Sequence, residues 1–218
     1  FTFEKNKEPV GHALVRAAID WRRAGLQRPI PELELRQRTK LYLPKVFVNT
    51  DLTDDTYKRG LDWAQRPVSS QIPLLLAVQG QKGRAFEVFD YIADLLERQG
   101  ASTPEQAWNL LIDCATPEET HDIGIAAYGR HEPEVAKHAF MKALASSHVD
   151  AAPMAAFNLG TLLAEQRDVA GARAAFQRAI DSGHSEVGLR AQELLRELST
   201  REEADGSLHT ENEASALQ

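Results

Sequence analysis

The sequence predicts a mainly α protein in two parts: a small helical domain carrying one β-hairpin, then an α-solenoid of antiparallel helix pairs. Three observations carry this expectation. Residues 116–199 are one pattern written twice, followed by the start of a third copy. Residues 9–66 show apolar side chains at helical spacing, and residues 72–89 change to the spacing of strands. The chain has 218 residues, 43% hydrophobic and 26% charged, which is ordinary globular composition and enough for two small cores.

Taken in order, residues 1–8 read as an N-terminal extension. The first helix places Val10, Leu14, Ala17, Ala18 and Trp21 on one face, with Pro9 in its first turn and Gly25 at its stop. A second, shorter helix is expected between Pro31 and Tyr42, ended by Pro44. The third opens at Thr53, whose hydroxyl can cap it, with Asp54 and Asp55 at the positive end of the helix dipole and Tyr57, Leu61 and Ala64 facing inward. Ile72 to Val78 is a short apolar run, Gln79 to Gly83 holds two glycines, and Arg84 to Phe89 alternates, which together read as a β-hairpin. A further helix from Asp90 to Gln99 is expected to stop at Gly100. Three helices followed by a hairpin is the outline of a winged-helix domain, placed at 9–100.

A linking helix follows, with Thr103, Pro104 and Gln106 arranged as a capping box; the same device recurs at Thr116, Pro117 and Glu119. The doubled pattern begins there. A shift of 36 residues lays Pro117 on Pro153, Gly124 on Gly160, Ala136 on Ala172, Phe140 on Phe176, Ala143 on Ala179 and His148 on His184 without a gap. Glycine inside an apolar helix costs about 1 kcal/mol against alanine, so Gly124 and Gly160 are expected to make room for a close neighbour. Ala136 and Ala172 let the paired helices approach, and Phe140 and Phe176, one turn on, fill the wider gap. A period of this length marks stacked helical hairpins. Residues 185–199 begin a third copy, with Arg196 in the glycine position, as expected of a polar closing helix. The repeat domain is placed at 103–199, and the polar, acidic residues 200–218 at a disordered tail.

Asn158-Leu159-Gly160, then Ala172, Phe176 and Ala179, resemble the tetratricopeptide repeat, or its relatives the Sel1-like repeats. The resemblance covers residues 116–199, and departs from the family in having His148 and His184 where a proline is usual. It implies a protein-binding module whose first helices line a groove. The residues it assigns to that groove are His121, Ile125 and Tyr128 in the first unit, Phe157, Asn158 and Thr161 in the second, and Arg190 and Glu193 in the closing helix. It also implies that Asn158 holds the backbone of a bound peptide, although an amide there can equally bond a neighbouring helix. Asp122 occupies the equivalent place in the first unit, so a clamp of two asparagines is not expected. Tyr128 and Phe157 favour an apolar or mixed peptide, because aromatic rings supply much of the binding energy in such sites.

A second resemblance lies at Val88-Phe89-Asp90, where the hairpin gives way to a helix. It is similar to the Met-His-Asp motif in the winged-helix domain of STAND-class signalling NTPases. The resemblance implies that Asp90 caps the helix, that an ATPase domain precedes this chain in the same polypeptide, and that the chain is the arm and sensor half of a switch. Phe89 replaces the histidine that touches the nucleotide in that family, so neither ATP binding nor hydrolysis is expected of these residues. The start at Phe1, without an initiator methionine, fits a part of something longer.

The search for chemistry is otherwise negative. His121-Asp122 and His131-Glu132 are adjacent in sequence, are expected to point to different sides of a helix and so to form no dyad, and no His-x-x-x-His or Cys-x-x-Cys spacing suggests a metal. Gly80-Gln81-Lys82-Gly83-Arg84 lacks the ending of a phosphate loop. Cys114 sits in an apolar helical run as a core residue, and His148 and His184 are expected to work at the turns. No cofactor is expected, and the enzyme class has no candidate constellation. With a net charge of −7, nucleic acid and anionic lipid attract no expectation, and no apolar run is long enough to span a membrane, which places the protein in the cytoplasm. The alternative is a DNA-binding regulator reading the groove with its third helix, Thr53 to Arg66, which carries no net charge where a basic helix is usual.

Overall fold

The computed structural model describes residues 8–44, 52–67, 72–81, 83–89, 92 and 102–216, with side chains described to Arg201. The protein is mainly helical with one small sheet, and it separates into two compact units, Phe1–Cys114 and Ala115–Gln218. The helix expected over Asp90 to Gln99 lies outside the described residues apart from Ile92, which is buried and donates its N–H to the Phe89 carbonyl at 2.9 Å.

In the first unit, α1 (Pro9–Arg23) buries Val10, Leu14, Ala17, Ala18 and Trp21 as expected, and Ala13, Val15 and Ile19 besides, so it is enclosed on more than one side. After β1 (Ile30–Pro31) come α2 (Glu32–Thr39), extended by a 3-10 turn at Lys40–Tyr42, and α3 (Asp54–Ala64). The Thr53 hydroxyl caps α3 by accepting the Thr56 N–H at 3.3 Å. Two glycines set the crossing of α1 and α3: a Cβ on Gly60 would lie 2.6 Å from Val10 Cγ1, and one on Gly11 would lie 2.9 Å from Trp63 Cδ2.

The hairpin pairs β2 (Leu76–Gly80) with β3 (Gly83–Glu87), closing at Gly80 opposite Gly83. Gly83 has φ +110, a conformation open to glycine and strained for other residues. The strand begins later than the apolar run suggested, because Leu74 and Leu75 turn their N–H groups onto the Ala64 carbonyl, 3.0 Å each, and bury their side chains. The sheet has a third strand that the sequence reading assigned to the start of the second helix. β1 pairs Ile30 with Phe86 and Pro31 with Ala85, giving the order β1-β3-β2. Two residues are too few to show a period.

Buried polar groups hold the rest of this unit. Asp20 accepts the Tyr42 hydroxyl at 2.7 Å and lies 3.3 Å from Arg16 Nε and 3.5 Å from Arg23, and burial, then the Asp20 charge, pushes the Tyr42 hydroxyl far above its usual range. Arg38 is buried on α2. Its guanidinium pairs with Glu34, donates to the Leu110 carbonyl at 2.8 Å and lies 3.0 Å from Cys114 Sγ. These bonds fasten α4 (Glu105–Cys114) into the first unit, whereas the sequence reading grouped residues 103–114 with the repeats. The capping box expected at Thr103 does not form. α4 starts one residue late, with Ala107 and Trp108 donating to the Pro104 carbonyl, so Gln106 misses the third position and Thr103 Oγ1 is buried without a hydrogen-bond partner among the described residues.

The second unit contains α5 (Pro117–Gly129), α6 (Pro133–Ala145), α7 (Ala151–Glu165), α8 (Val169–Asp181) and α9 (Ser185–Ala216). The capping box at Thr116 and Glu119 is complete, each residue's N–H donating to the other's side chain, at 3.0 and 3.3 Å. The glycines make room as expected: a Cβ on Gly124 would meet Phe140 Cδ1 at 2.6 Å, and one on Gly160 would meet Phe176 Cδ1 at 2.6 Å. Ala136, Ala139 and Ala143 on α6, and Ala172, Ala175 and Ala179 on α8, are buried beside the rings. The turns repeat too. Ser146 and Ser182 donate to the carbonyls of Ala143 and Ala179 at 2.6 Å, while His148 Nδ1 accepts the Ala151 N–H at 3.2 Å and His184 Nδ1 the Val187 N–H at 3.4 Å. The two histidines cap the helices that follow them. The tail expected to be disordered continues α9 to Ala216. Its polar composition argued against a packed core, yet it has no proline and is rich in Glu and Ala, which leaves helix formation open.

Candidate partner-binding site

The first helices of the units, α5, α7 and α9, are tied side by side by three contacts. His121 Nε2 on α5 meets Asn158 Nδ2 on α7 at 2.9 Å, the Tyr128 hydroxyl donates to Glu165 Oε1 at 2.5 Å, and the Arg190 guanidinium on α9 lies 5.2 Å from the centre of the Phe157 ring. Residues 121 and 128 are two turns apart on α5, as 158 and 165 are on α7, so the contacts run along one face like rungs. Between the first two rungs lie Ile125, 48% exposed, and Thr161, whose hydroxyl donates to the Phe157 carbonyl at 3.2 Å. Tyr128 is 39% exposed, and the Glu165 carboxylate that accepts its proton raises the hydroxyl's pKa.

His121 lies beneath this face rather than on it, with 4% of its surface exposed. Burial lowers its pKa, and Asp122 works in the other direction. The adjacent His121 and Asp122, expected to point to different sides of the helix, meet because the Asp122 side chain reaches back to the ring edge: with its proton on Nδ1 the neutral ring donates to Asp122 Oδ1 at 3.4 Å, while Nε2 accepts from the Asn158 amide. Through this bond the Asn158 amide joins α5 to α7. Phe157 is half buried against Phe176, their ring centres 5.9 Å apart, and Arg190 and Glu193 are exposed on α9. The sequence reading missed Met154, 39% exposed and one turn before Asn158 on the same stripe; the shift of 36 residues aligns it with Glu118 and Arg190.

In the first unit, Val88 is buried and Phe89 is 36% exposed. Both line a cleft of about 260 Å³ with Trp21, Arg22 and Arg28. Asp90 lies outside the described residues. Among the described residues, no group of three His, Cys, Asp or Glu side chains is placed to hold a metal, and no helix is long and apolar enough to cross a membrane.

The geometry defines an array of helical hairpins whose first helices share a solvent-facing ladder. Residues 121–186, from His121 on α5 to the first turn of α9, match the family model described as Tetratricopeptide repeat, a non-catalytic protein-interaction repeat. Neither the comparison with curated proteins nor that with solved structures gives a match.

Proposed function

We propose that the chain is a non-enzymatic interaction and sensor module that holds a protein or peptide partner on the face formed by α5, α7 and α9. The carrying observation is the ladder itself: Ile125, Tyr128 and Met154 are large apolar side chains left exposed on helices that otherwise bury theirs. Partner capture by the full chain tests this, with Ile125→Ala and Phe157→Ala beside the parent. Loss of the captured protein in both variants is expected, and its retention by both moves the surface elsewhere. Asn158→Ala serves as a separate control, since its amide joins two helices.

The proposal extends to the larger molecule: a cytoplasmic STAND-type signalling protein in which an ATPase domain precedes a winged helix and this repeat array. The element order of the first unit, α1-β1-α2-α3-β2-β3 with the sheet order β1-β3-β2, supports the winged-helix part. The chain by itself is then a sensor without ATP binding, and calorimetry giving a micromolar ATP complex would overturn that. The alternative, a groove-reading DNA regulator, gains no support from α3. Its exposed Asp54, Asp55 and Asp62 offset Lys58 and Arg59, and Arg59 lies 3.8 Å from Glu8.

A further inference from the structure

We infer that the partner of the α5-α7-α9 face is a basic amphipathic segment, in which Lys or Arg side chains flank aliphatic or aromatic anchors. This rests on the docking reading above and names the chemistry of the occupant. In the two complete helix pairs, lysine and arginine are kept off the first helices. α5 and α7 contain no lysine or arginine, and their charged side chains are Glu118, Glu119, Asp122 and Glu165. In these two pairs the basic residues of the helices sit on the second one, Lys137 and Lys142 on α6 and Arg173 and Arg178 on α8, whereas α9 carries both signs, Arg190, Arg196 and Arg201 with Glu186, Glu193 and Glu197.

The apolar rungs therefore have an acidic rim. Asp122, its side chain 54% exposed, lies three residues before Ile125, and the Glu165 carboxylate adjoins the Tyr128 hydroxyl. On α9, Glu193 is exposed and Arg190 is held over the Phe157 ring, while Glu197 lies 3.9 Å from Arg201 of the same helix. Carboxylates one helical turn apart, about 5.4 Å along the axis, fall within a Debye length of roughly 8 Å at physiological salt, so their potentials add over the groove. An acidic peptide meets like charge there, and a neutral apolar one leaves the rim unused. A segment with cations beside its anchors matches both features.

The test uses three fluorescein-labelled synthetic peptides of equal length, alternating Lys with Leu, Glu with Leu or Ser with Leu, and anisotropy titrations of the full chain. The Lys-Leu probe is expected to bind at least about tenfold tighter than the others at low salt and to lose about tenfold when NaCl is raised from ~50 to ~500 mM. Asp122→Lys and Glu193→Lys should each weaken it by about threefold or more, and Ile125→Ala should weaken it too. Glu134→Lys on α6 makes the same change of charge away from the face and should leave binding unaltered. Equal loss in Glu134→Lys overturns the proposal by showing attraction to net charge alone. Tighter binding of the Ser-Leu or Glu-Leu probe, sensitive to Ile125→Ala, overturns the basic preference and leaves the docking reading intact. Insensitivity of every probe to Ile125→Ala defeats both.

Discussion

Replacing Gly160 by alanine adds one methyl group where the second helix pair has no space for it. The new Cβ would lie 2.6 Å from Cδ1, 2.7 Å from Cε1 and 3.0 Å from Cγ of Phe176. Carbon atoms in contact keep about 3.5 to 4 Å, so the ring must retreat by about 1 Å. Phe176 is 1% exposed, with Ala172, Ala175 and Ala179 buried on the same helix, and cannot move freely. Overpacking of this kind costs about 1 to 3 kcal/mol, offset by about 1 kcal/mol from alanine's better helix propensity. A net loss near 1 kcal/mol is expected, with Gly160→Leu several times worse. Phe176→Leu should relieve the clash, so the double variant Gly160→Ala/Phe176→Leu should lose about 1 kcal/mol less than the sum of the singles. Urea unfolding of the full chain followed by far-UV circular dichroism reads this. The three tryptophans, Trp21, Trp63 and Trp108, all lie in the first unit, so their fluorescence reports that unit separately. Gly160→Ala at or above the parent's stability, or strict additivity in the double variant, would refute the packing argument.

The turns and the His121 joint give two further expectations. Ser147 has φ 56 at the position where the next unit has Gly183 at φ 75. A side chain in the left-handed region costs about 1 kcal/mol or more, so Ser147→Gly should raise the melting temperature by a few degrees and Gly183→Ser should lower it. Burial holds the His121 pKa below its ordinary 6.5, so the unfolded chain binds the proton first as pH falls. The stability that the neutral ring contributes is full above about pH 6.5 and is lost as pH drops from there through the lower folded value. Melting temperatures measured from pH 7.5 downward should show a decline that is shallower in His121→Gln; identical profiles would exclude His121 as the source.

Much of this fold is legible because its signals are local or doubled. The capping residues Thr53 and Thr116, the faces of α1 and α3, and the hairpin each depend on residues within a few positions of one another. The pairing of Gly124 with Phe140 and of Gly160 with Phe176 shows because the sequence prints it twice. What stayed hidden depends on partners far along the chain. β1 exists only because Phe86 and Ala85 are there to receive it, and Gly11 matters only because Gly60 and Trp63 cross above it. Arg38 reaches Leu110, so α4 joins the first unit through a bond that no spacing announces. The candidate site follows the same division. The pairing of first helices follows from the repeat, whereas the contacts between them, the burial of His121 and its bond to Asn158 among them, depend on side chains 37 positions apart.

The claim that a partner docks on the first helices is tested most directly by a photo-cross-linker carried at one position at a time. Positions 125 and 141 are similarly exposed, 48% and 52%, but lie on α5 and α6, on the first and second helices of one pair. Benzoylphenylalanine at 125 is expected to yield a covalent adduct with the captured partner, and the same group at 141 is expected to yield none. Adducts from 141 with none from 125 would contradict the account.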